Sequence, residues 1–316
     1  MPIARLYQAG TTIDWTADAA YDAGAVIQLP DGRAGVLASH CAAGELVGVH
    51  VTGQFYVAKT TSMVMLRSSK LFFDHSAQKC HLLHGNDRDF FLGASLEDEG
   101  AAETEALVNL NVEPVFASSF EHGFSTVRVL TAGFPVAVGA GAQGVNLEFS
   151  ATAEVQKVDA LGHRGFLNTA EGIAHFLVCV NNQGDASALD LDWGIATATH
   201  ASDFEQIAQR VGFHIDGNTL DLDLASDDGT TDTTLVDTTV NIVAGTPFLC
   251  QLDMRDPTNI LAYVNGVRVL DGTTGTATTL KVASGTFKPI AHMEKTSDDT
   301  PGNFSVLYGG VVTAQA

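Results

Sequence analysis

Residues 261–270 read LAYVNGVRVL. Two alternating β-forming runs flank Asn265-Gly266, a dipeptide able to take φ > 0 at both central positions of a type I′ turn. The stretch therefore predicts a tight antiparallel hairpin. The same period of two recurs in AGAVIQL (23–29), LVGVHVTG (46–53), QFYVAKT (54–60), KLFFD (70–74), ALVNLNV (106–112), AHFLVCVN (174–181) and FLCQLDM (248–254). Short alternating runs punctuated by Gly, Asp and Asn argue for an all-β chain. One segment, Asp203 to Val211 (DFEQIAQRV), is predicted as a short helix capped by Ser202 or Asp203.

A length of 316 residues suggests two domains at about 100–200 residues each. Composition shifts near residue 112. The reading is a first β domain over 1–112, a Gly/Ala-rich connector over 113–144 with some strand content able to pack on the second domain, and a second β domain over 145–316. The connector predicts a proteolytic cut near Gly139–Gly144. The formal charge is −21, divided into −6 over residues 1–112 (7 Lys/Arg, 13 Asp/Glu) and −15 over the rest (9 and 24). So negative a surface repels phosphate backbones, which excludes nucleic acid as a partner. No apolar run is long enough to span a membrane, and the opening MPIARLYQAG does not read as a secretory signal. Cys41, Cys80, Cys179 and Cys250 are far apart in strand-like context, as expected of buried free thiols made in a reducing cytoplasm.

Enzymatic chemistry finds little support. A glycosidase on a β-sandwich needs two carboxylates on one strand face, a pattern such as Glu-x-Asp-x-Glu. The nearest pairs are Asp190/Asp192 (LDLDW) and Asp221/Asp223 (LDLDL). Each alternates with leucine, so the aspartates are expected to face water and the leucines the core. No G-x-S-x-G elbow and no phosphate-binding loop occurs. Cys80-His81 and His84 fall short of four zinc ligands at usual spacing and read as a polar hairpin tip. Lys59 is expected to be solvated or ion-paired at the surface. His214 and His292 are expected to be hydrogen-bonded structural residues.

The stretch 214–232, HIDGNTLDLDLASDDGTTD, concentrates aspartates. An EF-hand frame starting at Asp223 puts Gly229 seventh rather than sixth and Thr234 at the position that requires glutamate, so that pattern fails. A solvated acidic edge is the expectation, in which replacing Asp227 and Asp228 with Asn changes stability little. A calcium site built from Asp227, Asp228 and Asp232 is the alternative. No other metal and no cofactor is expected.

Several pieces of the first third occur in a familiar order: LYQAGTTIDW (6–15), AGAVIQL (23–29), AGELVGV (43–49), GQFYVAKT (53–60), KLFFDHSAQKC (70–80) and FFLGASLEDEGAAETEALVNLN (90–111). The series resembles the phage cement, or capsid decoration, family. That resemblance implies a small β-barrel-like capsid-binding domain without catalytic activity. It also implies a structural protein on the outside of a tailed-phage virion, with the major capsid protein and further copies of itself, as a homotrimer, for partners. The pieces VNLEFSATAEVQKVDAL (145–161), LDWGIAT (191–197) and GTPFLCQLDMRDPTNILAYVNGVRVL (245–270) resemble a lectin/glucanase-type, concanavalin-like jelly-roll β-sandwich. The implied role is a projecting lectin-like domain. The alternative is a carbohydrate-binding adhesin contacting host surface glycans.

Overall fold

The computed structural model describes residues 12–85, 88–130, 137–140, 144–167, 172–183, 189–200, 203–216, 219–296 and 302–313. The chain is all-β, and among the described residues there is one 3₁₀ turn, at Phe120–His122. It divides into two compact units, residues 1–115 and 116–316. Every named strand pair is antiparallel, and each sheet draws its strands from one unit.

The first unit holds two open sheets, which do not close into one barrel. Four strands run in the order Thr12–Thr16, Leu46–His50, Ala34–Leu37, Val26–Gln28. Five run in the order Gln54–Ala58, Glu105–Leu110, Phe90–Ser95, Lys70–Asp74, Lys79–His81. Ala23-Gly24 and Ala43-Gly44 make tight reversals beside the first sheet, with both glycines near φ +81° and +82°. That left-handed conformation costs a residue bearing a Cβ, which explains the repeated Ala-Gly step. Ile27, Leu37, Val47 and Val49 form an apolar cluster on which Trp15 and Tyr21 pack. Lys59 departs from expectation: it is fully buried, and its Nζ donates to the carbonyls of Thr60, Gly100 and Glu103 at 3.3, 2.9 and 3.3 Å. Three carbonyls replace the water that an ammonium loses on burial.

The second unit is a sandwich of two eight-stranded sheets. The first sheet runs Ala137–Ala140, Val145–Glu148, Asn303–Thr313, Gly172–Asn182, Phe248–Asp253, Leu261–Val264, Val267–Arg268, with Ser118–Ser119 beside Asn303–Thr313. The second runs Phe124–Leu130, Gln156–Gly162, Thr286–Lys295, Leu189–Ala196, Arg210–Asp216, Asp221–Asp227, Asp232–Asn241, with Phe166–Leu167 beside Thr286–Lys295. The Asn265-Gly266 hairpin forms as the sequence predicts, with φ +50° and +77° at the turn and Val264 opposite Val267. Trp193 is the centre of the core. It stacks on Phe213 of its own sheet at 5.7 Å, and meets Phe248 and Phe304 of the facing sheet at 5.7 and 5.5 Å. Such contacts between two inner faces are the main source of sandwich stability.

One expectation gains detail here and one is revised. The stretch 113–144 supplies strands to the second unit: Phe124–Leu130 pairs with Gln156–Gly162, and Ala137–Ala140 with Val145–Glu148. Asp203–Gln209 makes a single turn, closed by the Ile207 amide on the Phe204 carbonyl at 3.0 Å, and not a helix. Its two large apolar residues, Phe204 and Ile207, both pack down on Leu161, Ala196 and Ile290, and Arg210 already belongs to the next strand.

The exposed passage between the units is therefore Val112–Val115, where Val115 is 83% exposed. Brief digestion with thermolysin should cut first here, before Val112 or Val115; in the stretch expected from sequence to be cut, Gly139 and Ala140 are strand-paired and Gly144 is buried, while 141–143 lie outside the described residues. Mass spectrometry of the first-formed fragments checks this. Initial cleavage in 139–144 would return the connector to its earlier place.

Candidate functional site

The outer face of the second sandwich sheet carries the densest chemistry in the described residues. Alternation along Leu189–Ala196 sends Leu189, Leu191, Trp193 and Ile195 into the core, and Asp190 and Asp192 to the opposite face. The registers of neighbouring strands then align polar residues across the sheet. Asp159 lies opposite His292, His292 opposite Asp192, Asp192 opposite His214, His214 opposite Asp223, and Asp223 opposite Asp237. Acids and imidazoles thus alternate over the first five places of one transverse row. Beside it, Glu294 lies opposite both Lys157 and Asp190.

The expectation that these aspartates face water needs correction. They leave the core, but the turn 203–209 folds over them, and Asp192 is only 1% exposed. Gly194 and Gly212, opposite one another on adjacent strands, make this cover possible. A Cβ on Gly212 would stand 3.2 Å from the Phe204 ring and 2.5 Å from the Trp193 carbonyl oxygen. The bare backbone is the floor on which Phe204 rests.

Burial makes the row ionic. His292 is enclosed, with Nδ1 2.6 Å from Asp159 Oδ1 and Nε2 3.2 Å from Glu294 Oε2. Burial pulls this imidazole down, but hydrogen bonds to Asp159 and Glu294 and the charge of Asp192 outweigh it and push it up to about 10. His214 Nδ1 lies 2.8 Å from Asp192 Oδ1 and 3.3 Å from Glu205 Oε1. Here too burial opposes the charge, and the two carboxylates prevail, pushing His214 up to about 11. Glu294 is held low despite burial by His292 and by Lys157, whose Nζ is 2.6 Å away. Burial raises Asp190 to about 6, and burial with the neighbouring Glu205 raises Asp203 to about 7.

The acidic stretch at 227–232 is organised by cations. Arg210, fully buried, places Nη1 3.3 Å from Asp227 Oδ2 and Nη2 2.9 Å from Asp232 Oδ1, and donates a further bond to the Ile207 carbonyl at 2.8 Å. Asp228 Oδ2 pairs with Lys281 Nζ at 2.9 Å, while its Oδ1 accepts from the Thr230 and Thr231 amides at 2.9 and 2.6 Å. Those hydrogen bonds, Thr230 first, hold the Asp228 carboxyl well below its ordinary range. The three calcium candidates therefore divide between two cations.

In the first unit, a cleft of about 290 Å³ is lined by Trp15, Tyr21, Gln28, His75, Gln78 and Arg88. Tyr21 donates to Asp18 Oδ1 at 2.8 Å, and Arg88 Nη2 meets His75 Nε2 at 2.9 Å. Cys80 and its histidines do not converge. The thiol is buried and pushed up to about 12 by desolvation, while His84 Nε2 turns to the Asp89 carbonyl at 2.9 Å. A thiol at that pKa is neither nucleophile nor ready metal ligand. All four cysteines are buried and free.

The ordered pieces of sequence quoted for this unit, now seen as its strands and Ala-Gly reversals, correspond to a known family. Residues 7–110 match the phage cement protein family. The match spans every described strand of the first unit, from Thr12–Thr16 to Glu105–Leu110, and both Ala-Gly reversals. No curated protein matches the chain. Solved structures similar to it include the carbohydrate recognition domain of Emp47p, at 8% identity over 61% of this chain and 89% of that one, with a TM-score of 0.43. Another is the Bacteroides ovatus mixed-linkage glucan GH16 protein in complex with its G4G4G3G product, at 10% identity over 61% and 99%, with a TM-score of 0.39. A third is the carbohydrate-binding module CBM66 from Bacillus subtilis, at 8% over 55% and 93%, with a TM-score of 0.33. No residue or ligand is carried over from these three.

The sequence reading missed the buried row as a functional candidate. The available signal was Asp190-x-Asp192, then Asp203-x-Glu205, then His214: three acid or imidazole clusters spaced so that two adjacent strands and their connection bring them to one place.

Proposed function

We propose that this chain is a structural virion protein whose first unit binds the outside of a tailed-phage capsid and whose second unit is displayed from it. The match of residues 7–110 to phage cement proteins carries this reading. A protein that binds only the assembled shell raises the free energy needed to open it, by linkage. The major capsid protein is the partner, and three copies clamp neighbouring subunits around a symmetry axis. The charge of −21 suits a protein held at high copy number in solution and docking onto a basic or mixed-charge surface. Catalysis has no place in this reading. On the Leu189–Ala196 strand the third position of the outward face is Gly194, and Asp192 is committed to His214 beneath the 203–209 turn.

The test is binding of the full chain, and of residues 1–115 and 116–316 separately, to heads lacking decoration, read by co-sedimentation and by the temperature at which the heads open. The full chain and the first fragment should co-sediment and raise that temperature, and mass photometry of the free chain should show a trimer. Binding by the second fragment alone, or adhesion to host cell surfaces with no affinity for heads, would favour the adhesin.

A further inference from the structure

The buried row has a concentration of negative charge beneath the 203–209 turn. Asp192 reaches this point from the sheet, 99% enclosed, and its Oδ2 has no hydrogen-bond partner. Glu205 reaches it from the turn above, and its Oε1 also accepts no hydrogen bond. The Asp192 Oδ1 and Glu205 Oε1 atoms converge on the same nitrogen, His214 Nδ1, at 2.8 and 3.3 Å. One N–H bond cannot point well at both. Asp190 and Asp203 add carboxyl groups nearby; His214 pairs with both Asp192 and Glu205, and the charge of His292, opposite Asp192 on the next strand, also reaches Asp192.

We propose that Asp192, Glu205 and His214 form a binding site for one divalent transition cation of the zinc or manganese class. One ligand atom from each residue lies within 4.8 Å of the other two. Around a cation with bonds of about 2.0–2.2 Å, tetrahedral ligand atoms stand ~3.4 Å apart, so small side-chain shifts bring all three into place. An imidazole nitrogen among two carboxylate oxygens selects zinc or manganese over calcium or magnesium, which prefer all-oxygen sets. The cation takes the position where the proton of the imidazolium now stands, and supplies two positive charges where the proton supplies one. The unpartnered Asp192 Oδ2 gains a use, either as a second ligand atom or as acceptor from a metal-bound water.

The surroundings are built to hold the ligands still. Phe204, fully buried against the Gly212 floor, fixes the turn one residue before Glu205. The Asp203 carboxylate accepts the Glu205 amide at 3.1 Å. Asp192 and His214 sit opposite one another on paired strands, positions that tolerate little movement. The site lies in the second unit and is independent of capsid binding by the first.

The test uses the full chain, stripped with EDTA, dialysed, incubated with Zn²⁺, Mn²⁺ or Ca²⁺, and desalted. Bound metal is counted by mass spectrometry of the elements, and the melting temperature is read by calorimetry. One equivalent of zinc or manganese per chain, with a rise of several degrees, is expected. Glu205→Gln, on the partly exposed turn, should keep the fold while losing both the metal and the rise over its own metal-free melting temperature. Asp192→Asn is the second variant. A cobalt-loaded wild-type chain should show visible d–d bands, a readout that needs no variant to fold. The proposal is overturned by the absence of stoichiometric metal, by metal retained equally in Glu205→Gln and Asp192→Asn, or by calcium bound in place of zinc and manganese.

Discussion

Replacing Asp227 and Asp232 together with asparagine is expected to lower unfolding stability by about 3–5 kcal/mol, the scale for stripping a buried charge of its partners. The guanidinium of Arg210 is 0% exposed, whereas Asp227 and Asp232 are 18% and 47% exposed. Removing the two negative charges therefore leaves the full positive charge inside, with only neutral acceptors such as the Ile207 carbonyl. Removing the arginine instead leaves two carboxylates that water can still reach, so Arg210→Met should cost less. Adding Arg210→Met to the double variant should recover a large part of the loss, a coupling that a double-mutant cycle measures. Urea denaturation of the four proteins checks this. Independent, additive effects would mean that the guanidinium draws little from the pair. The result reverses the expectation from sequence alone, in which the acids of this stretch only keep an edge wet.

Alkaline pH should unfold the second unit, and His292 should carry much of the effect. Its imidazole is held up to about 10, above the ordinary 6.5. A group bound to its proton more tightly in the folded state contributes fully below the unfolded value, and that contribution drains away as pH rises to the folded value. The window is therefore pH 6.5 to about 10, at up to ~1.4 kcal/mol per unit for one buried proton. Asp203 and Asp190, raised by burial to about 7 and about 6, act in the same direction at lower pH, since the folded chain keeps protons that the unfolded chain has lost above 3.8. Stability should therefore fall in two overlapping stages. His292→Leu should lower stability at pH 6 by about 3–5 kcal/mol, because Asp159 and Glu294 lose the cation between them, and should flatten the slope above pH 7. Thermal melts between pH 5 and 10 separate these effects. An unchanged slope in the variant would assign the alkaline loss to other groups.

The parts of this fold that can be read from sequence are those governed by neighbours along the chain. Asn265-Gly266 makes its hairpin because the turn geometry admits few other dipeptides, and Leu-Asp-Leu-Asp shows which face of a strand is apolar. What lies over the other face depends on residues far away. Nothing local to Asp192 says that Phe204 will dock on Gly212 and bring Glu205 above it. The same holds for Arg210, whose partners are 17 and 22 positions along the chain and meet it only through strand register and the loop beyond. The turn at 203–209 was mistaken for a helix because its apolar residues are three apart, a spacing equally suited to one turn pinned to a sheet. The strand content of 113–144 was legible, but not its pairing partners, since glycine and alanine are as much at home in close-packed strands as in connectors.

The passage at Val112–Val115 bears on how such a chain could be rebuilt. Neither unit lends a strand to the other across it, so a splice there would exchange cargo without opening a hydrogen-bonded ladder. Where the chain decorates a shell, as proposed above, each foreign module grafted after Val115 would be presented as a dense array. Weak individual contacts would then act together, with effective concentrations near the millimolar range for short tethers. Four residues, three of them exposed, would then be the seam for interchangeable payloads.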